Sequence, residues 1–270
     1  MIAVNNKKRT NDSRKKYLGT KNINNQGYEM QIIEYNKYND IIVEFQQPYK
    51  YKVKSRTDRF LSGEIQNPYA PSICGFGIVG TKYPTHTKDV KKYLREYLIW
   101  TNMIKRCYDE EHRYKNPSYY DCKCCEEWRY YEKFYEWLHS QENYTILDSI
   151  NDLAIDKDIL LKGNREYRPD RCCLVTQKIN NLLLKSNSVR GDCPIGVFYH
   201  KQNNKYVAQC GGKKNNVYLG SYNTKEEAFK VYKKYKEKLL KKIATEEYEK
   251  HYITEQCYNS LMAYRVEITD

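Results

Sequence analysis

The sequence predicts an α+β fold in several domains, and three features carry that prediction. Short β-branched and aromatic runs, separated by Gly, Pro and Asn, fill residues 27–80 and recur between 194 and 222. Between these stretches, aromatic residues repeat at helical spacing from Tyr93 to Leu138. A chain of 270 residues is also long enough for two or three small domains.

Residues 1–26 are basic, Asn-rich and without periodicity, and read as a flexible arm. Residues 30–35 and 41–45 are strand-like runs joined by a turn-forming segment at 36–40. Residues 49–53 nearly alternate, and 60–65 and 73–77 continue in short pieces broken by Gly and Pro. Residues 27–80 are thus expected to form a small all-β unit, with a short barrel as one form.

The stretch 88–184 reads as helical with an embedded ββα unit. Tyr93, Tyr97, Trp100, Ile104 and Tyr108 share one helical face. A second helix from Cys125 to His139 lines up Trp128, Tyr131, Phe134, Tyr135 and Leu138. Stripes of this kind are core, not base-stacking platforms. Residues 154–160, a polar loop at 162–165, residues 167–175 and residues 176–183 then give strand, loop, strand and helix, with Thr176 at the N-cap.

Residues 190–242 form the next unit. Three strands are expected at 196–199, 205–210 and 217–222. Thr224 then caps a helix with Glu226 and Glu227 in its first turn and Ala228, Val231, Tyr232 and Tyr235 facing the sheet. A helix and a tail complete the chain over 243–270.

Charge and composition narrow the class. The formal net charge is +13, and 14 basic against 4 acidic residues gather in 185–242. A further 6 basic residues against 1 acidic lie in 1–20. Charge concentrated this way is an electrostatic footprint for nucleic acid. With 29 tyrosines and abundant Lys and Asn, part of the excess reflects an AT-rich coding sequence. No apolar run reaches the roughly 20 residues of a membrane span. The N-terminus lacks an apolar leader, so a cytoplasmic location and reduced cysteines are expected. The 10 cysteines include Cys122, Cys124 and Cys125 and the pair Cys172–Cys173. Their spacing is not that of paired zinc knuckles, so buried thiols are expected and Zn²⁺ is not.

Two family resemblances follow from particular residues. Pro194 to Val197, Lys205 to Ala208 and Tyr218 to Ala228 are similar to the AP2/ERF DNA-binding domain, over about fifty residues. Arg106-Cys107-Tyr108, Glu127-Trp128, Phe134, Trp137, Asp156-Lys157-Asp158, Tyr167, Pro169 and Cys172 resemble phage-encoded HNH endonuclease-like proteins. Some of those proteins carry AP2-like domains at their C-termini.

The HNH resemblance implies a ββα site that hydrolyses phosphodiester bonds with one Mg²⁺ or Mn²⁺. It places Asp156 and Asn180 as metal ligands, Lys157 in the general-base slot, Asp158 beside it and Arg171 in the loop-fixing Asn slot. A Lys with an unperturbed pKa of ~10.4 is a poor base near neutrality. None of the five His residues falls in the unit. The AP2 resemblance implies that Phe198, His200, Gln209 and Tyr218 face the major groove of double-stranded DNA. Lys201, Lys205, Lys213 and Lys214 then lie in turns where phosphate contacts fall.

The sequence therefore predicts a phage- or mobile-element-type DNA-binding protein in a bacterial host. It is either an HNH homing endonuclease or a catalytically inactive regulator or protein-binding inhibitor built from the same modules. Oligomeric state and target site are not encoded legibly.

Overall fold

The computed structural model describes residues 12–89, 92–184, 192–211 and 216–270. The chain is α+β, with antiparallel sheets and several helices. It divides into two compact units, residues 1–135 and 136–270. That division departs from the expected boundaries at 27–80, 88–184 and 190–242.

In the first unit, β1 (Lys21–Ile23), β2 (Glu29–Lys37), β3 (Asp40–Phe45) and β4 (Tyr51–Ser55) form a four-stranded antiparallel meander in sequence order. Residues expected in the flexible arm thus enter the fold. Residues 12–17 are helical, and Lys21, Asn22 and Ile23 pair with Gln31, Met30 and Glu29. The arm's first eleven residues lie outside the described residues.

Alternation along β3 buries Ile41, Val43 and Phe45 against Met30 and Ile32 of β2. A register shift between Ile32 and Glu34 then brings Tyr35, rather than Glu34, to the core face. The sheet ends at β1 and β4, so it is an open meander and not a barrel. Phe60, expected in a β piece, lies in the short helix α1 (Thr57–Leu61) and is fully buried under the sheet.

The helix α2 (Arg95–Tyr108) buries Trp100, Met103, Ile104 and Cys107, an i, i+3, i+4, i+7 stripe. Tyr93, expected on that face, precedes the helix and is 48% exposed. The second expected helix starts later: α3 (Glu110–Lys115) intervenes, and α4 runs from Tyr131 to Ser140. Trp128 sits in a 3₁₀ turn ahead of it, where its carbonyl accepts the Trp100 indole N–H at 2.8 Å. Trp128, Tyr131, Phe134 and Leu138 are all fully buried, as a core stripe requires.

The second unit begins at Glu136 within α4 and continues with α5 (Tyr144–Ser149). β5 (Ala154–Asp156) and β6 (Cys173–Val175) then pair antiparallel and lead into α6 (Gln177–Leu182). Thr176 caps α6 by accepting the N–H of Ile179. A three-stranded antiparallel sheet follows, with β8 (Lys205–Cys210) between β7 (Val197–His200) and β9 (Val217–Tyr222).

The helix α7 (Lys225–Glu249) covers one face of this sheet. It starts from a reciprocal box in which Thr224 caps Glu227 and Glu227 returns the bond. The first half of α7 places Ala228, Phe229 and Tyr232 against Val197, Ala208 and Cys210. Beyond the expected end at 242 the helix continues, and Leu240 and Ala244 enter a second core. There they meet Ala154, Val175 and Ile179 of the ββα unit and Cys257 and Leu261 of α8 (Glu255–Ala263). The two expected modules therefore share one helix, and a cut at 242 would remove part of both cores.

Gly196 fits this packing through its missing side chain. Its φ is +75°, and a Cβ there would sit 2.1 Å from the Tyr232 ring.

Candidate functional site

In the ββα unit the loop between the strands is closed by its own polar groups. The Asp156 Oδ1 at the end of β5 accepts the backbone N–H groups of Asp158 at 2.7 Å and Ile159 at 2.8 Å. This is an Asx-type turn that carries the chain off the strand. Burial pushes the Asp156 carboxyl above its ordinary 3.8, against those two N–H donors, which pull it down. Lys157 is 7% exposed. Its Nζ donates to the Asp158 carboxylate at 2.6 Å and to the Asn164 carbonyl at 2.8 Å.

Asn164 completes the closure. Its Nδ2 donates to the carbonyls of Lys157 at 2.9 Å and Glu166 at 2.7 Å, and its Oδ1 accepts the Glu166 N–H at 3.1 Å. Arg171, expected in the loop-fixing slot, instead meets the Glu166 carboxylate at 3.3 Å. Asn164 is the residue that fixes this loop. Its local signal was an Asn after Gly163 with an acceptor geometry two residues on, which marks a turn but not a long-range lock.

The expected metal ligands do not make a fitting set for Mg²⁺ or Mn²⁺. One Asp156 oxygen already takes two N–H donors, and burial works against the charged form that a divalent cation needs. The Asp158 carboxylate is held by an ammonium at 2.6 Å, with which an incoming cation would compete. Asn180 lies half-buried on α6, and its side chain has no hydrogen-bond partner among the described residues. Among the described residues no group of three or more His, Cys, Asp and Glu is gathered to hold a metal. Lys157, placed by sequence in a proton-accepting slot, acts here as a donor in two hydrogen bonds. The cysteines are free thiols, with Cys172 and Cys173 buried and the Cys173 Sγ 3.7 Å from that of Cys257.

The sheet of β7, β8 and β9 presents the opposite situation. Val197, Ala208 and Gly220 form a cross-strand row on the side covered by α7. Strand alternation turns the neighbouring row, Phe198, Val207 and Ser221, to the other side. His200 with Lys205, and Gln209 with Tyr218, extend that open face along the strands. A register shift between Ala208 and Gln209 adds one residue to β9. It allows Leu219 to join the core while Tyr218 faces outward.

Tyr218 is 65% exposed and Phe198 37%. The Tyr218 hydroxyl meets Ser221 Oγ at 2.9 Å. The His200 Nδ1 is buried and has no hydrogen-bond partner among the described residues. At the strand ends, Lys201 is exposed in a 3₁₀ turn and Lys205 donates to the Asn223 side chain. Lys213 and Lys214, expected as phosphate contacts, lie outside the described residues. Phe198, His200, Gln209 and Tyr218 are thus brought onto one face together with Val207 and Ser221, which the sequence did not single out.

Among the described residues no helix is long and apolar enough to cross a membrane. No family model matches the chain, and neither the curated proteins nor the solved structures contain a match.

Proposed function

We propose that the chain binds double-stranded DNA through the open face of the β7–β9 sheet, with the ββα unit serving as scaffold. One observation carries this reading. The sheet is packed by α7 on one side and on the other sets Phe198, Gln209, Tyr218 and Ser221 around the buried Val207, with lysines at its end. A β-surface of this size enters a major groove, where Gln and His side chains meet base edges and Lys meets phosphate. Lys201 and Lys205 at the strand ends supply part of the sequence-independent affinity.

The reading as inactive DNA-binding regulator is favoured over the nuclease because Asp156, Asp158 and Lys157 are spent on holding their own loop. The test uses the full chain, since α7 belongs to two cores. Binding to a mixed-sequence duplex should weaken steeply with salt, with a log-log slope on the order of −4 to −5 for about five phosphates. Replacing Phe198 and Tyr218 together by Ala should lower affinity about tenfold; Phe198 is only 37% exposed and gives up packing too, so circular dichroism checks that the variant is folded. DNA affinity that is absent, or that ignores the double substitution, refutes the proposed surface.

A further inference from the structure

The helix α7 carries a second charged surface. In its middle stretch Lys230, Lys234, Lys238 and Lys242 are exposed and recur every fourth residue. At a rise of ~1.5 Å per residue, they place a cation about every 6 Å over roughly 18 Å. Like charges four apart on a helix repel each other and weaken it.

Of the acids of α7, Glu226, four residues before Lys230, and Glu249 make no ion pair among the described residues, and the others are engaged as follows. Glu227 serves the N-terminal box, and Glu237 accepts the Val266 N–H and pairs with Lys233. Glu247 is buried, taking the Thr176 hydroxyl at 2.7 Å and Lys178 at 3.1 Å. Glu246 lies 3.3 Å from Lys178 and only 3.8 Å from Lys242. Lys230, Lys234 and Lys238 make no ion pair among the described residues. Lys233 and Glu237 form such a pair within the helix, whereas on the lysine face the one intrahelical pair among the described residues is the 3.8 Å contact of Glu246 with Lys242.

Helical periodicity puts the stripe on the side away from the sheet, because Ala228, Phe229 and Tyr232 face inward. The open sheet face and the lysine stripe therefore look in opposite directions across a sheet-and-helix layer. A layer of that kind is roughly 20 Å through, from helix diameter and packing distance. DNA is stiff over about 150 base pairs, so one short duplex does not reach both surfaces. The apolar residues of α7 are consumed by its two cores, which leaves no hydrophobic face for a lipid surface.

We infer that the lysine stripe of α7 holds the phosphate backbone of a second duplex, so that one chain bridges two DNA segments. The inference rests on the sheet as the first DNA surface. The test captures the full chain on an immobilised duplex of about 20 base pairs and measures retention of a second, fluorescent duplex. The wild-type chain should retain it, more weakly as salt rises. The triple variant Lys230→Gln, Lys234→Gln and Lys238→Gln should lose the second duplex at least tenfold. Its affinity for a single duplex should stay within about twofold, since those three phosphate contacts lie off the sheet.

A wild-type chain that binds one duplex and retains no second overturns the bridge and leaves the sheet reading standing. Retention that survives the triple substitution also overturns it, because bridging then comes from another route such as self-association. Loss of all DNA binding in the triple variant, with its circular dichroism unchanged, would make the stripe the primary surface and overturn both readings. A wild-type chain that binds no DNA does the same.

Discussion

The β5–β6 loop and the β7–β9 sheet are both rich in residues able to do chemistry, yet they use them in opposite ways. In the loop, Asp156, Lys157 and Asn164 bond to one another's backbone or to near neighbours, and Lys157 and Asn164 are buried. On the sheet, Phe198, Gln209 and Tyr218 point away from the core and their main internal tie is one hydroxyl pair. Polar groups turned inward are satisfied and structural, whereas those left outward keep their bonding capacity for a partner. The difference separates groups already bonded within the fold from groups turned outward, without reference to motif.

The largest effect that would sharpen this contrast is at Asn164. Asn164→Ala removes three hydrogen bonds and strands the buried carbonyl of Lys157 and the part-buried backbone groups of Glu166. It should cost about 3 kcal/mol in urea unfolding while DNA affinity of the folded chain stays unchanged. A loss below about 0.5 kcal/mol would mean that the loop is not locked.

Lys157→His comes next. The shorter imidazole does not span from Asp158 to the Asn164 carbonyl, so the substitution should cost about 2 kcal/mol. It should produce no metal-dependent plasmid nicking. Nicking that rises with this substitution would return the loop to a catalytic role and break the comparison.

The smallest effect is at Asp156. Its carboxyl is held above the ordinary 3.8 by burial, so folding favours the protonated form. The stability that form contributes is complete below the unfolded value and is lost as pH rises through the folded value. Asp156→Asn keeps an oxygen for the N–H groups of Asp158 and Ile159 and carries no charge to desolvate. The variant should match the wild type at pH 3 and be equal or slightly more stable at pH 7, as read by thermal unfolding. Destabilisation that grows with pH would show that the ionised carboxylate is the favoured form.

How much of this was legible varies with the range of the interaction. Thr176 and Thr224 announce their caps because the bond spans three residues of continuous chain. The alternation of Phe198, Val207 and Gln209 against Val197 and Ala208 likewise survives in the sequence, since strand period alone separates the two faces. Tyr35 escaped that logic, as did the outward turn of Tyr218, because each depends on a register shift set by the partner strand. Phe60 escaped it as well. Its run looked like a broken strand, and burial under the β2–β3 face accompanies the helix.

By itself the sequence determined the class of fold, the strand and helix periods, the caps and the location of the excess positive charge. These are properties of short windows, fixed by side-chain spacing and local backbone bonds. Tertiary structure decided which polar residues were spent internally. Lys157 and Asn164 become partners only when the loop between β5 and β6 folds back and excludes water. It also decided that α7 belongs to two cores at once. A helix records its own period along the chain, but which surfaces its faces meet depends on segments far away in sequence, and their arrival is a matter of packing.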